Sequence, residues 1–180
     1  MRIHTLIALG ILATLLGCND QPLSAPGSAG GDWKYREVAA LPDGIDVIHT
    51  PAKVYAEEGG RSGYRYTWLH ETSVKSTVGD LTIIEFGGFS NVQGEWVFGN
   101  HTGEPFTPED FAEWYSCPDS RLVGGQAYTD PQNWTGSETL RSNTQLWYFI
   151  GEDPDGNRFK GLGQVRTLAA LKSEEMAASQ

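Results

Sequence analysis

A chain of 180 residues with 23 acidic against 13 basic side chains carries a formal charge of −10. Such a surface repels phosphate backbones and anionic headgroups, which argues against recognition of nucleic acid or of polybasic-binding lipids. Hydrophobic residues make up 39% of the chain, enough for one proper core, and two cysteines, Cys18 and Cys117, are too few for a disulfide scaffold.

The N-terminus carries the most specific signal. Arg2 precedes an apolar run from Leu6 to Leu16 that is broken only by Gly10 and Thr14. A run of about 11 residues suits an export signal and is too short to span a bilayer. It ends in Leu15-Leu16-Gly17-Cys18. These residues resemble the lipobox of bacterial lipoprotein precursors. That resemblance covers residues 1–18 only, and the rest of the chain resembles no family. It implies a signal peptide over residues 1–17, cleavage before Cys18, and Cys18 as first mature residue and lipid attachment point. Several acyl chains bind a membrane far more firmly than one. The alternative, an ordinary secretory signal, wants an Ala-x-Ala-like pair, and none precedes Cys18. On the same resemblance the partner is a membrane, reached through palmitate or a similar chain. The location is the cell envelope, facing periplasm or exterior, and Asn19 rather than Asp after the cysteine leans towards the outer membrane.

Losing Arg2 with the signal leaves 12 basic against 23 acidic residues, a charge of −11, with His49, His70 and His101 as the remaining histidines. With Cys18 lipidated, Cys117 has no partner in its own chain. Asn19 to Gly31, rich in Pro, Ser, Ala and Gly, reads as a flexible linker.

A β-rich domain is expected over residues 32–168. Asp43-Gly44 separates two short segments, Tyr35 to Ala40 and Ile45 to His49; Val54 and Tyr55 suggest a brief strand, and Glu57 to Gly60 a loop. Tyr64 to Val74 alternates in period two, with Tyr64, Tyr66, Trp68, His70 and Thr72 on one face. Leu81 to Phe89 is apolar on both faces, as in a covered central strand, and Glu95 to Phe98 follows a short turn. Three strands in succession predict an antiparallel meander.

Thr107-Pro108-Glu109-Asp110 supplies an N-cap hydroxyl, Pro at the first helical position and acids where the helix dipole favours them. A short helix near residues 108–116 follows, with Phe111, Trp114 and Tyr115 on one face. Gly124-Gly125 and Pro131 predict irregular chain to about Ser142. Gln145 to Ile150 and Arg158 to Thr167 are strands about an Asp153-Pro154-Asp155-Gly156 turn. Residues 169–180 form a tail of helical composition. Many short strands with Gly and Pro turns predict an all-β antiparallel sandwich or barrel of seven or eight strands with one short helix.

Four features bear on chemistry. His70 and His101, with a nearby carboxylate, are the candidate metal ligands. His70 and Glu71 point to opposite faces of a strand, however, and the spacing fails the His-x-His pattern of metal-binding cupins. Cys117 falls at a helix C-terminus beside Asp119, which disfavours a thiolate; a buried, inert thiol or an intermolecular disulfide fits better. Glu85 lies among Leu81, Ile83, Ile84 and Phe86 and needs water or a partner such as Arg65.

Six tryptophans and seven tyrosines are the fourth feature. Trp68, Tyr128, Asp130, Asn133 and Trp134 make a candidate ligand set, with rings and polar groups arranged as sugar sites use them. The competing reading is that most of these rings fill the core. No Gly-rich phosphate loop, Gly-x-Ser-x-Gly elbow or Cys-x-x-Cys occurs, so no cofactor is expected. The sequence thus favours a non-enzymatic binding or structural domain, whose partner is a carbohydrate, another small ligand or an envelope protein. The alternative is a metal-binding or enzymatic β-domain using His70 and His101.

Overall fold

A computed structural model describes residues 31–59 and 61–178. The expected signal peptide, Cys18 and almost all of the expected linker lie outside the described residues. Helix α1 spans Gly31–Ala39, so Gly31 begins the first helix rather than ending the linker. Then come β1 (Ile45–Thr50), β2 (Lys53–Glu58), β3 (Tyr66–Ser76), β4 (Leu81–Val92), β5 (Glu95–Phe98), α2 (Pro108–Trp114), β6 (Arg121–Leu122), β7 (Ala127–Ser137), β8 (Asn143–Glu152), β9 (Arg158–Leu171) and α3 (Lys172–Ala178). The fold is all-β, a single curled sheet forming a half-barrel.

Strand β3 is the hub of one half. It pairs antiparallel with β7 along one edge, and its other edge is shared by β1 and β2. In the other half β4 pairs with β8 and carries β5 and β6. Strand β9 joins the halves, antiparallel to β8 and parallel to β2, so the sheet is mixed rather than wholly antiparallel. The β4–β5 hairpin forms as expected, but β3 and β4 do not pair. The three-strand meander is therefore wrong. Each strand finds longer partners elsewhere, β3 in β7 and β4 in β8.

Two cores cover the two faces of the sheet. The inner one gathers Trp68, Val74, Ile83, Phe86, Phe111 and Phe149 inside the curl. The outer one, built on Phe89, Leu146, Tyr148 and Ile150, is closed by Val38 and Tyr35 of α1. Packing, not propensity, holds this short helix, which is why residues 35–40 read poorly as sequence. Lys160 on β9 donates to the carbonyls of Ala39 and Leu41, satisfying the C-terminal end of α1. Glu85 is paired across the same interface, with its Oε1 2.6 Å from Lys34 Nζ; Arg65 instead bridges Glu58.

The curl is tight where β1 lies over β9. A Cβ added at Gly161 would stand 2.7 Å from the Ile45 carbonyl oxygen, and one at Gly163 would stand 2.5 Å from Val47 Cγ1. Only glycine lets these backbones approach so closely. Helix α2 is the expected one, with a complete capping box between Thr107 and Asp110. The loop before it adds one rung to β4 through mutual hydrogen bonds between Phe86 and Phe106. The C-terminal tail is strand as far as Leu171 and helix only from Lys172.

Candidate functional site

The half-barrel is left open between β7 and the β4–β5 side, and a cleft of about 540 Å³ occupies that seam. Its β7 wall is chain that sequence composition assigned to a loop. Pro131 cannot donate to a ladder, and the register with β3 shifts between His70 and Thr72, so Pro131 and Gln132 form a bulge opposite Glu71. The amide of Gln132 donates to Asp130 Oδ1 at 2.9 Å. The bulge thereby presents Asp130, Asn133 and Trp134 to the cleft.

Aromatic rings form the rim and back. Trp134 lies between Tyr64, with ring centroids 6.0 Å apart, and His101, at 5.6 Å. His101 also touches Phe106, and Phe106 stacks on Trp147 with 13° between the planes. The opposite wall carries amides. Asn100 accepts from Gly88 N through Oδ1 and donates to Glu104 O, and Ser90 Oγ donates to Gln145 Oε1 at 2.8 Å. Arg61 closes one end by donating to Gln132 Oε1 at 3.2 Å. Asp130 is 8% exposed, and burial pushes its carboxyl above the usual range, against the opposing pull of the Gln132 amide and Arg61.

Behind Asn133 lies a buried polar chain. Asn133 Nδ2 donates to Thr72 Oγ1 at 2.7 Å, and Thr72 Oγ1 is 2.9 Å from His49 Nδ1. Asn133 Oδ1 accepts from the Trp134 amide at 2.7 Å, so the chain runs from a buried imidazole to the backbone of the rim tryptophan. His70 sits edge-on to His49 at 5.1 Å and against Trp147 at 6.4 Å. Both ring nitrogens of His70, Nε2 of His49 and the hydroxyl of Tyr115 are buried without a hydrogen bond of good geometry. Burial lowers His49 to about 4; burial and then the neighbouring His49 lower His70 to about 3. Both rings are therefore neutral at pH 7.

Of the candidate ligand set, Asp130, Asn133 and Trp134 line the cleft. Trp68 and Tyr128 do not. Trp68 is core, with its indole N–H donating to Leu168 O at 2.9 Å, and Tyr128 is buried in the inner core. His70 and His101 occupy different surroundings, one buried behind Trp147 and one exposed at the rim, and no ring contact joins them. Among the described residues no three His, Cys, Asp or Glu side chains are grouped to hold a metal ion. Cys117 is fully buried, and burial pushes its thiol up to about 11. Sequence reasoning missed Asn100, Phe106 and Gln145 as lining residues, because only the curl brings β8 and the 99–107 loop opposite β7, and it missed Tyr64, which reaches Trp134 from the loop before β3.

No family model matches the chain, and no curated protein does. Among solved structures it is similar to the X-ray structure of Northeast Structural Genomics Consortium target SoR45, at 15% identity and a TM-score of 0.41, over 74% of this chain and 92% of that one.

Proposed function

We propose that the protein is a bacterial lipoprotein, anchored in the cell envelope through Cys18 and most readily in the outer membrane, whose β-domain is a non-enzymatic binding module for a neutral carbohydrate. The observation that carries the binding reading is the place of Trp134, flanked by Tyr64 and His101 at the mouth of a 540 Å³ cleft. Sugar rings offer C–H faces to aromatic platforms and hydroxyls to planar amides, and Asn100 and Gln145 supply the amides here. The charge of −10 supports an uncharged ligand over a polyanion. The lipobox residues support the anchor.

Two experiments test this. Palmitate incorporation in cells should be lost in Cys18→Ala; label that persists there removes the anchor. An array of neutral glycans should give a hit whose affinity falls at least about tenfold in Trp134→Ala, as expected for an aromatic contact of about 1.5 kcal/mol. No hit, or a hit indifferent to Trp134, overturns the carbohydrate reading.

A further inference from the structure

The buried chain behind the cleft connects it to the imidazole of His49, against which the ring of His70 is packed. We propose that His49 and His70 form an acid-sensitive latch on the cleft, which holds the β7 bulge and its Trp134 in place while both rings are neutral and frees them when either ring takes a proton. This rests on the reading of the cleft as the ligand site and names how that site is regulated.

The geometry gives the mechanism. Thr72 Oγ1 accepts the Asn133 amide hydrogen at 2.7 Å and lies 2.9 Å from His49 Nδ1; in the neutral tautomer with its hydrogen on Nε2, His49 accepts the Thr72 hydroxyl hydrogen at Nδ1. Protonation of His49 turns Nδ1 into a donor. Thr72 must then turn its hydrogen away and accept from both His49 and Asn133, which reorients the hydroxyl on which Asn133 rests. Asn133 is the residue whose Oδ1 fixes the Trp134 amide. His70, 3% exposed and with neither ring nitrogen in a hydrogen bond of good geometry, has only the Trp68 backbone nearby to receive a new proton's bond and stands against His49 and Trp147. A charge there can be solvated only if the seam opens.

The surroundings offer little compensation. Facing the pair are Thr72 and the Trp68 backbone on β3, the Gly163 backbone on β9, Trp147 on β8 and Asn133 on β7. Two other titratable groups adjoin the cluster. The Tyr115 hydroxyl is directed towards Thr72 and Asp130 and is itself held protonated by burial, and Asp130 answers to Arg61 and the Gln132 amide. In an opened seam the rings return towards their ordinary 6.5, against about 4 and about 3 when closed. Each histidine therefore favours the open form by about tenfold per pH unit below 6.5.

The test uses the full chain carrying His101→Gln, so that no exposed imidazole stands 5.6 Å from the Trp134 reporter, purified in detergent with 5-fluorotryptophan in place of tryptophan and read by fluorine resonance without ligand. Between about pH 7.5 and about pH 4.5, Trp134 and Trp147 should shift together while Trp96, packed under α1 in the outer core, keeps its position. The joint shift should vanish in His49→Gln/His70→Gln. In Thr72→Val, which keeps both imidazoles, Trp147 should still respond and Trp134 should not. Trp134 holding its position until Trp96 moves with it means global unfolding and overturns the latch, as does a Trp134 transition that survives both variants. Glycan binding is not part of the readout, so a chain that binds no glycan can still show the latch, and a flat response leaves glycan recognition standing.

Discussion

Lys34 on α1 and Glu85 on β4 form an ion pair at 2.6 Å across the outer core, with the lysine side chain 8% exposed and the glutamate 26%. The pair joins the helix nearest the expected tether to the strand that forms one wall of the cleft. Removing one partner strands a charge in a largely apolar interface, which costs several kcal/mol when both groups are buried. Partial exposure of Glu85 reduces this, and Lys34→Met should lower stability by about 2 kcal/mol. Combining it with Glu85→Leu should recover part of the loss. Urea midpoints of the two single variants and the double variant check both statements.

The histidines also set a pH dependence of global stability. Both have folded values below the unfolded 6.5, at about 4 and about 3, so their contribution is fully present above about pH 6.5 and is lost as pH falls towards those values. The slope from each approaches about 1.4 kcal/mol per pH unit within that window. Asp130, raised by burial, acts with the opposite sign, favouring the fold at low pH and losing that contribution as pH rises through its folded value. Melting temperatures between about pH 7.5 and about pH 5 should fall steeply in the parent protein and more gently in His70→Phe.

Cys117 should behave as an inert thiol. It is fully buried, and its thiol is pushed up to about 11, so the thiolate is scarce at neutral pH. Iodoacetamide should label it slowly in the native protein and rapidly in denaturant. Rapid native labelling would show that the segment after α2 opens readily.

The crossing of β1 over β9 predicts that Gly161→Ala and Gly163→Ala destabilise by about 1–3 kcal/mol each, the usual cost of overpacking. Gly161→Ala should be the worse, since its added methyl meets the carbonyl oxygen and Cβ of Ile45, whereas at Gly163 it meets side-chain atoms of Val47 and His49. Unfolding midpoints rank the two.

What the sequence disclosed follows the range of the forces involved. The β3 face of Trp68, His70 and Thr72 is written in adjacent residues, and so is the capping box at Thr107. Strand β7 was hidden because Pro131, Gly136 and its polar side chains have low strand propensity, and its pairing comes entirely from β3. The partner of Glu85 lies 51 positions earlier, beyond any local pattern. In the site, Asp130, Asn133 and Trp134 were legible as a polar and aromatic cluster. That Tyr128 points into the core while Trp134 reaches the cleft depends on the bulge, which no periodicity announces.

Strand β9 has a consequence for the order in which this protein can form. Among the described residues, β3 with its neighbours and β4 with its neighbours meet by strand pairing only through residues 158–171, and the parallel contact to β2 joins Lys53 to Arg166. Closing contacts of such sequence separation is slow. A chain synthesised from its N-terminus therefore lacks the strand that joins its two half-sheets until β9 emerges.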